Sequence, residues 1–196
     1  MKVVALVLAA GQGARFGADK RRALMADGRS LLQHSVERAL AVFDEVRVVL
    51  RAGERAEDLG LPPACRVVHS PEAGLGMGHS LAAGAASLVD SEAQAVAILL
   101  GDMPWIGAAT FRRLLASAAP SVIVVPRHQG QNGHPVVFGR DYWAELTLLA
   151  GDEGARSVLR RRASSVLLLE LQDSGVLRDV DTPAVIEPRP SGNDGF

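Results

Sequence analysis

The stretch LAAGQGARFGADK, Leu8 to Lys20, follows the apolar run VVALV and holds three glycines, Arg15 and a terminal lysine. Glycines behind a strand let backbone N–H groups come close to phosphate oxygens. Two well-known versions of such a loop fail on spacing. The dinucleotide fingerprint needs G-x-G-x-x-G and a carboxylate at the tip of the second strand. Here Gly11, Gly13 and Gly17 are spaced one residue too long, and the second apolar run, EVRVVL, meets Arg51 instead of an acid. No Gly-x-x-x-x-Gly-Lys-Ser/Thr run exists for a P-loop. What remains is a phosphate cradle with its own cations, as a triphosphate would require. The competing reading is a flexible strand–helix connection with two solvated cations. Of 21 Lys+Arg residues only Lys2 and Lys20 are lysines, so a compact ammonium is kept at position 20 in a chain that otherwise uses arginine. A point charge suits a phosphate oxygen differently from a planar guanidinium fork.

Further loops carry candidate chemistry. In GDMPWI, Asp102 stands just past the buried run AVAILL, where a carboxylate can hold Mg2+ or cap a helix. In LRDVDTPAVI, Asp179 and Asp181 are two apart and share a face of an extended segment. Thr182-Pro183 reads as a helix start, with Asp181 or Thr182 as its cap. SPEAGLGMGHSLAAGA, Ser70 to Ala85, places Gly78, His79 and Ser80 near a helix start, suited to a flat ring or to a mobile loop. His134, between Gly133 and Pro135, is open to a structural role or a substrate contact. LLAGDEGARSVLRR puts Asp152 and Arg156 at another helix N-terminus, a setting for an anion. No Ser–His–Asp order can be established, and no Cys/His group has zinc-ligand spacing. Phosphate-cradling loops, two cations and scattered carboxylates together suit phosphoryl or nucleotidyl transfer.

The elements that must position these residues alternate. Strands are expected at Val3–Ala9, Glu45–Leu50, Cys65–His69, Ala95–Leu100, Val122–Pro126, Val136–Phe138 and Ser165–Leu171. Helices are expected from Ser30, which forms a capping box with Gln33, and over His79–Val89, Ala108–Ala118, Asp141–Leu149 and Glu153–Arg162. The pattern predicts an α/β fold: a mostly parallel twisted sheet with helices on both faces and ligands at the carboxyl ends of its strands. The 196 residues fit one domain, expected over 1–187, with a disordered tail over 188–196. A net charge of −1 argues against nucleic acid as a partner. The run Arg160–Arg162 reads as a solvated helix end. No apolar run is long enough for a membrane span, and the N-terminus lacks a signal-peptide pattern. A lone Cys65 permits no internal disulfide, so a cytoplasmic setting is expected.

Together these motifs resemble the molybdenum cofactor cytidylyltransferase-like nucleotidyltransferases. Their signature, LAAG-x-x-x-R-x-G-x-x-K, is matched at every fixed position, and GDMP, GHPVVFGRDYWAEL, LAGDEGAR and DVDTP follow in the family's order over about 180 residues. The opening motif is shared with other nucleotidyltransferases, whereas the later series is more specific to the cytidylyl branch. The resemblance implies a Rossmann-like nucleotidyltransferase fold and transfer of CMP from CTP to the phosphate of Mo-molybdopterin, releasing pyrophosphate. It implies that Leu8, Ala9, Ala10, Gly11, Gln12, Gly13, Arg15 and Lys20 hold the nucleotide. Gly78, His79 and Ser80 would approach the nucleoside, and Gly133, His134, Pro135, Asp152 and Arg156 the acceptor. Asp102 would act with Arg15 and Lys20 in catalysis and, with Asp181, bind Mg2+. A molybdoenzyme is an implied partner. Two features depart from the family: the basic stretch RRALMADGRSLL after Lys20, and His79 where a small residue is usual. Another phosphorylated acceptor, GTP as donor, or a non-catalytic molybdenum cofactor chaperone remain competing readings.

Overall fold

Every residue of the first strand, β1 (Val3–Leu8), is buried, and its side chains alternate between two cores. Val3, Ala5 and Val7 enter one cluster, and Val4, Leu6 and Leu8 the other. That two-residue period makes β1 a central strand, covered on both faces. The computed structural model describes residues 1–11 and 19–180. The helix start at Thr182-Pro183 and the tail over 188–196 lie outside the described residues.

Beside β1 run β2 (Glu45–Arg51) and β4 (Ala95–Leu100), both parallel to it, and β3 (Arg66–Ser70) extends the sheet beyond β2. On the other side, β7 (Val136–Gly139) lies antiparallel between β4 and β5 (Ile123–His128). The outer strand β8 (Val166–Glu170) runs parallel to β5, which also pairs with the short β6 (Gln131–Asn132). The sheet is therefore mixed but mostly parallel, as expected. The hairpin from β5 to β6 turns on Gln129 and Gly130, both at positive φ, the backbone that a tight two-residue connection requires.

Helices cover both faces. On one lie α1 (Leu31–Leu40) and α3 (Ala108–Ser117), which bury Leu32, Val36, Phe111 and Leu114. On the other lie α2 (Met77–Ala86), α4 (Trp143–Leu146) and α5 (Arg156–Arg161), which bury Leu81, Trp143 and Val158. The capping box of α1 is complete: Ser30 Oγ accepts from Gln33 N–H, and Gln33 Oε1 accepts from Ser30 N–H at 2.7 Å. Gly84 of α2 lies so close to the sheet that a Cβ there would sit 2.5 Å from Leu6 Cδ2.

Several boundaries differ from expectation. The helix expected over 79–89 starts two residues earlier, directly after Gly76 at φ 126°, and ends at Ala86. The one expected from Glu153 begins only at Arg156, because Gly154 adopts φ 55°, which breaks a right-handed helix. The one expected over 141–149 is a 3-10 turn, Arg140–Tyr142, running into the short α4. It stops at Leu146 and leaves Leu148 exposed. Cys65 precedes β3 rather than joining it; it is half-buried, and that burial raises its thiol pKa. Among the described residues no helix is long and apolar enough to cross a membrane.

Candidate active site

The chain builds β1, β2 and β3 outward in one direction and then returns to lay β4 on the opposite side of β1. Adjacent loops leaving β1 and β4 therefore diverge, and a crevice opens at the carboxyl ends of these strands. A cavity of about 380 Å3 occupies that place. Its floor is formed by Leu8, Ala9, Ala10 and Gly11 after β1 and by Leu100, Gly101 and Asp102 after β4. One wall comes from Ala73, Gly74, Gly76, Met77 and Ser80, another from Asp19, Lys20 and Arg21, with Asp152 at the rim.

Lys20 opens a 3-10 turn, Lys20–Arg22, capped by Asp19. It is not the solvent-facing cation that its loop position suggests. Its ammonium lies 2.6 Å from Asp102 Oδ2 and donates to Val180 O at 3.0 Å, and its side chain is only 20% exposed. Val180 N–H in turn donates to Asp102 O at 3.1 Å. These contacts draw together the loop after β1, the loop after β4 and the segment that leads towards residue 181. Three regions more than 75 residues apart meet at one cation–carboxylate pair.

Behind Lys20 sits an arrangement that sequence reading missed. Arg21 belongs to the stretch read as a more basic lid, yet it is 6% exposed and bonded to Asp19 and Glu54. Burial works against its charge, but the hydrogen bonds it donates to Glu54 and Asp19 outweigh it and hold the guanidinium pKa above its ordinary value. The same bonds from Arg21 hold the Asp19 and Glu54 carboxyls below theirs. Arg51, noted for breaking the dinucleotide pattern, donates to Ala10 O at 3.2 Å and to Gly11 O. Its own N–H donates to Glu54 at 2.9 Å. The sequence signals for this group are short-range pairs, Asp19-x-Arg21 and Arg51-x-x-Glu54 at the end of β2.

The expected nucleoside-side residues divide. Ser80 lines the cavity from α2. Gly78 serves close packing: its N–H donates to Gly151 O at 2.7 Å, and an added Cβ would meet Ala150 O at 2.6 Å. The His79 ring turns to Glu72, with Nδ1 2.9 Å from Oε2, outside the cavity lining. On the acceptor side, Asp152 reaches the cavity rim, whereas Gly133, His134, Pro135 and Arg156 lie beyond its lining. His134 N–H donates to Val176 O at 2.8 Å, which ties this loop to the C-terminal segment. Its ring Nδ1 is buried without a partner. Burial pushes the imidazole pKa down, against the Ile98 backbone and the charge of Asp102, so the ring is neutral at neutral pH. Gln12, Gly13, Arg15 and Asp181 lie outside the described residues.

Among the described residues no cluster of three or more His, Cys, Asp or Glu side chains forms a metal cage. Asp102 is therefore one carboxylate at the floor of a cavity, with Asp179 adjacent in sequence to the Val180 that bonds its loop. A lone carboxylate there would suit a hard divalent cation only if water and substrate phosphate supplied its other ligands.

Comparison with known proteins agrees with this fold. Residues 5–166 match the MobA-like NTP transferase domain. The chain is 31% identical to the purine catabolism protein PucB of Bacillus subtilis and 32% identical to nicotine blue oxidoreductase of Paenarthrobacter nicotinovorans, covering 92% of both chains in each case. Among solved structures, a Mycobacterium sp. strain JC1 homologue of Mycobacterium tuberculosis rv0371c superposes with a TM-score of 0.79 at 29% identity, over 93% of this chain and 92% of that one. Rv0371C of Mycobacterium tuberculosis in complex with manganese gives 0.73 at 26%, over 87% and 89%.

Proposed function

The chain belongs to the MobA-like NTP transferase domain family, and from that premise we propose that it transfers CMP from CTP to the phosphate of Mo-molybdopterin, releasing pyrophosphate. The observation that carries the transfer reading is the Lys20–Asp102 pair on the floor of the crevice between β1 and β4. A cation and a carboxylate side by side match the two needs of a metal–triphosphate complex: positive charge for phosphate oxygens and an oxygen ligand for the metal.

In this reading the acceptor phosphate attacks the α-phosphorus in line, a new P–O bond forms, and the bond to the bridging oxygen breaks to release pyrophosphate. Lys20 offsets the charge that grows on the departing pyrophosphate. Asp102 would hold Mg2+, with Asp179 or Asp181 as the further carboxylate; the metal supplies Lewis-acid stabilisation of phosphate oxygens. Manganese in the related Rv0371C structure supports a divalent-ion requirement. Backbone N–H groups of the Gly-rich loop, together with Arg15, would cradle the phosphates. Ser80 and the 73–77 wall, which line the cavity, would face the nucleoside. Asp152 at the cavity rim would begin the acceptor side, with Arg156 and the buried, unpartnered His134 Nδ1 placed beyond the lining.

The choice of CTP and of a molybdopterin acceptor rests on the motif series from GHP to DVDTP, and delivery to a molybdoenzyme follows from that acceptor. The experiment is pyrophosphate release from each NTP with Mg2+, with and without Mo-molybdopterin. Release that requires both CTP and the acceptor supports the proposal. Turnover with another phosphorylated acceptor, or with GTP, replaces its specific part. Binding of the finished dinucleotide cofactor without any turnover would make the chain a cofactor chaperone. Nicotine blue oxidoreductase bears the name of a redox enzyme, so reduction of nicotine blue is the control activity. The Gly11, Gly13, Gly17 spacing argues against that chemistry here.

A further inference from the structure

All five N–H donors of the Arg21 guanidinium are already taken by protein oxygens. Nε donates to Asp19 Oδ1 at 2.8 Å, Nη1 to Ala9 O and Glu54 Oε2 at 2.8 Å each, and Nη2 to Asp19 Oδ2 at 2.7 Å and Glu54 Oε1 at 2.6 Å. Arg21 borders the cavity, yet it has no donor left for a phosphate. Its acceptors lie on three separate pieces of chain: the end of β1, the residues after the Gly-rich loop and the turn after β2. Glu54 also accepts from the backbone of Arg51, whose side chain holds the carbonyls of Ala10 and Gly11. Two guanidinium groups joined through one carboxylate thus grip three successive carbonyls at the start of the loop, and Arg21 fastens its far end through Asp19.

We infer that Arg21 is a positioning residue: with Glu54 and Arg51 it presets both ends of the triphosphate loop and aims Lys20 at Asp102, without itself touching the nucleotide. The inference rests on the reading of this loop as the triphosphate site. Lys20 is flanked by Asp19 and Arg21, both locked, so its backbone has little freedom to carry the ammonium elsewhere. Loop ends held in place before the ligand arrives lose less conformational entropy on binding, and preorganised dipoles are what stabilise developing charge. A lysine cannot substitute, because an ammonium offers three donors in place of a planar five-donor fork.

The test uses the full chain with Arg21→Lys and Glu54→Gln. The second keeps the carboxylate's shape and remains informative if the first fails to fold. Both are assayed below their measured melting temperatures for calorimetric binding of Mg-NTP and for steady-state pyrophosphate release. We expect nucleotide affinity to weaken by about 10-fold or more while the acceptor KM stays within about twofold of wild type. In a Lys20→Ala background the further loss from Arg21→Lys should shrink to less than about threefold, because residues acting through one group are not additive. Wild-type nucleotide affinity in both folded variants would overturn the inference, as would equal damage to nucleotide and acceptor KM, or full additivity with Lys20→Ala. A wild-type protein that binds NTP but does not use Mo-molybdopterin would remove the acceptor assignment and leave the nucleotide-binding test intact. A wild-type protein that binds no NTP would remove both.

Discussion

At the scale of single residues, the Lys20–Asp102 pair supports two predictions. Lys20→Ala should lower kcat/KM for pyrophosphate release by about 100-fold, the usual size for removing one preorganised charge donor. It also strands a largely buried carboxylate, so a stability loss of about 1–3 kcal/mol should appear in urea unfolding. Lys20→Arg should be impaired as well, since a planar fork cannot take the 2.6 Å approach to Asp102 and reach Val180 O in the same geometry. Near-normal kcat/KM in Lys20→Ala would remove the residue from catalysis. For Asp102→Asn, a Mg2+ titration of pyrophosphate release should show half-saturation moved to higher Mg2+ and a lower plateau. An unchanged Mg2+ response would take Asp102 out of the metal site.

At the scale of elements, α3 shows how a helix can be capped from a distance. Its N-cap position is Gly107, which has no side chain to offer. Asp173, from the far end of the chain, accepts from Gly107 N–H at 2.8 Å and from Thr110 Oγ1 at 2.6 Å, while its other oxygen accepts from Gly175 N–H. Burial raises the Asp173 pKa, but the Thr110 and backbone hydrogen bonds outweigh it and leave the group below its ordinary value. A carboxyl with a depressed folded pKa contributes stability above its unfolded value, near 4, and loses it as pH falls through the lower folded value. Asp173→Ala should therefore cost about 1–2 kcal/mol at neutral pH, the range for a lost cap. The gap from wild type should narrow in chemical denaturation as pH falls through that lowered folded value. A pH-independent difference would mean that lost packing, not the charged cap, is responsible. The helix expected over Ala108–Ala118 forms over Ala108–Ser117, but its distant carboxylate partner could not be read locally.

At the scale of the whole molecule, the sheet order brings the loops after β1, β3 and β4 around one cavity, so ligand binding should stabilise the entire fold. CTP with Mg2+ at 100 times its dissociation constant should raise unfolding free energy by about 2.7 kcal/mol. GTP at the same concentration should stabilise less, because pocket shape separates such substrates by roughly 1–3 kcal/mol. Ala10 is 1% exposed, belongs to the same buried cluster as Leu81 and Leu6, and forms part of the cavity floor. Crowding of a purine through Ala10 would therefore act by fixing the height of that floor. Thermal shift with the four NTPs is the measurement, and equal or greater stabilisation by GTP would overturn the preference.

The sequence by itself determined the alternation of strands and helices, the mostly parallel sheet, the completed Ser30–Gln33 capping box and the place of the site behind β1. Those features depend on short-range spacing: the two-residue period of β1, the 3.6-residue period of the helices, and glycines beside a buried run. Lys20 and Asp102 were both legible as loop residues at strand ends. Only the tertiary structure decided that they face each other at 2.6 Å, that Val180 closes over them, and that Arg21 belongs to a buried ion cluster rather than to a basic lid. The physical reason is that burial and partnership of a charge depend on which distant segments arrive beside it. Arg21, Arg22 and Arg51 look alike as letters; Arg22 stays exposed, whereas Arg21 is enclosed by its neighbour Asp19 and by Glu54 and the end of β1, which strand order brings beside it.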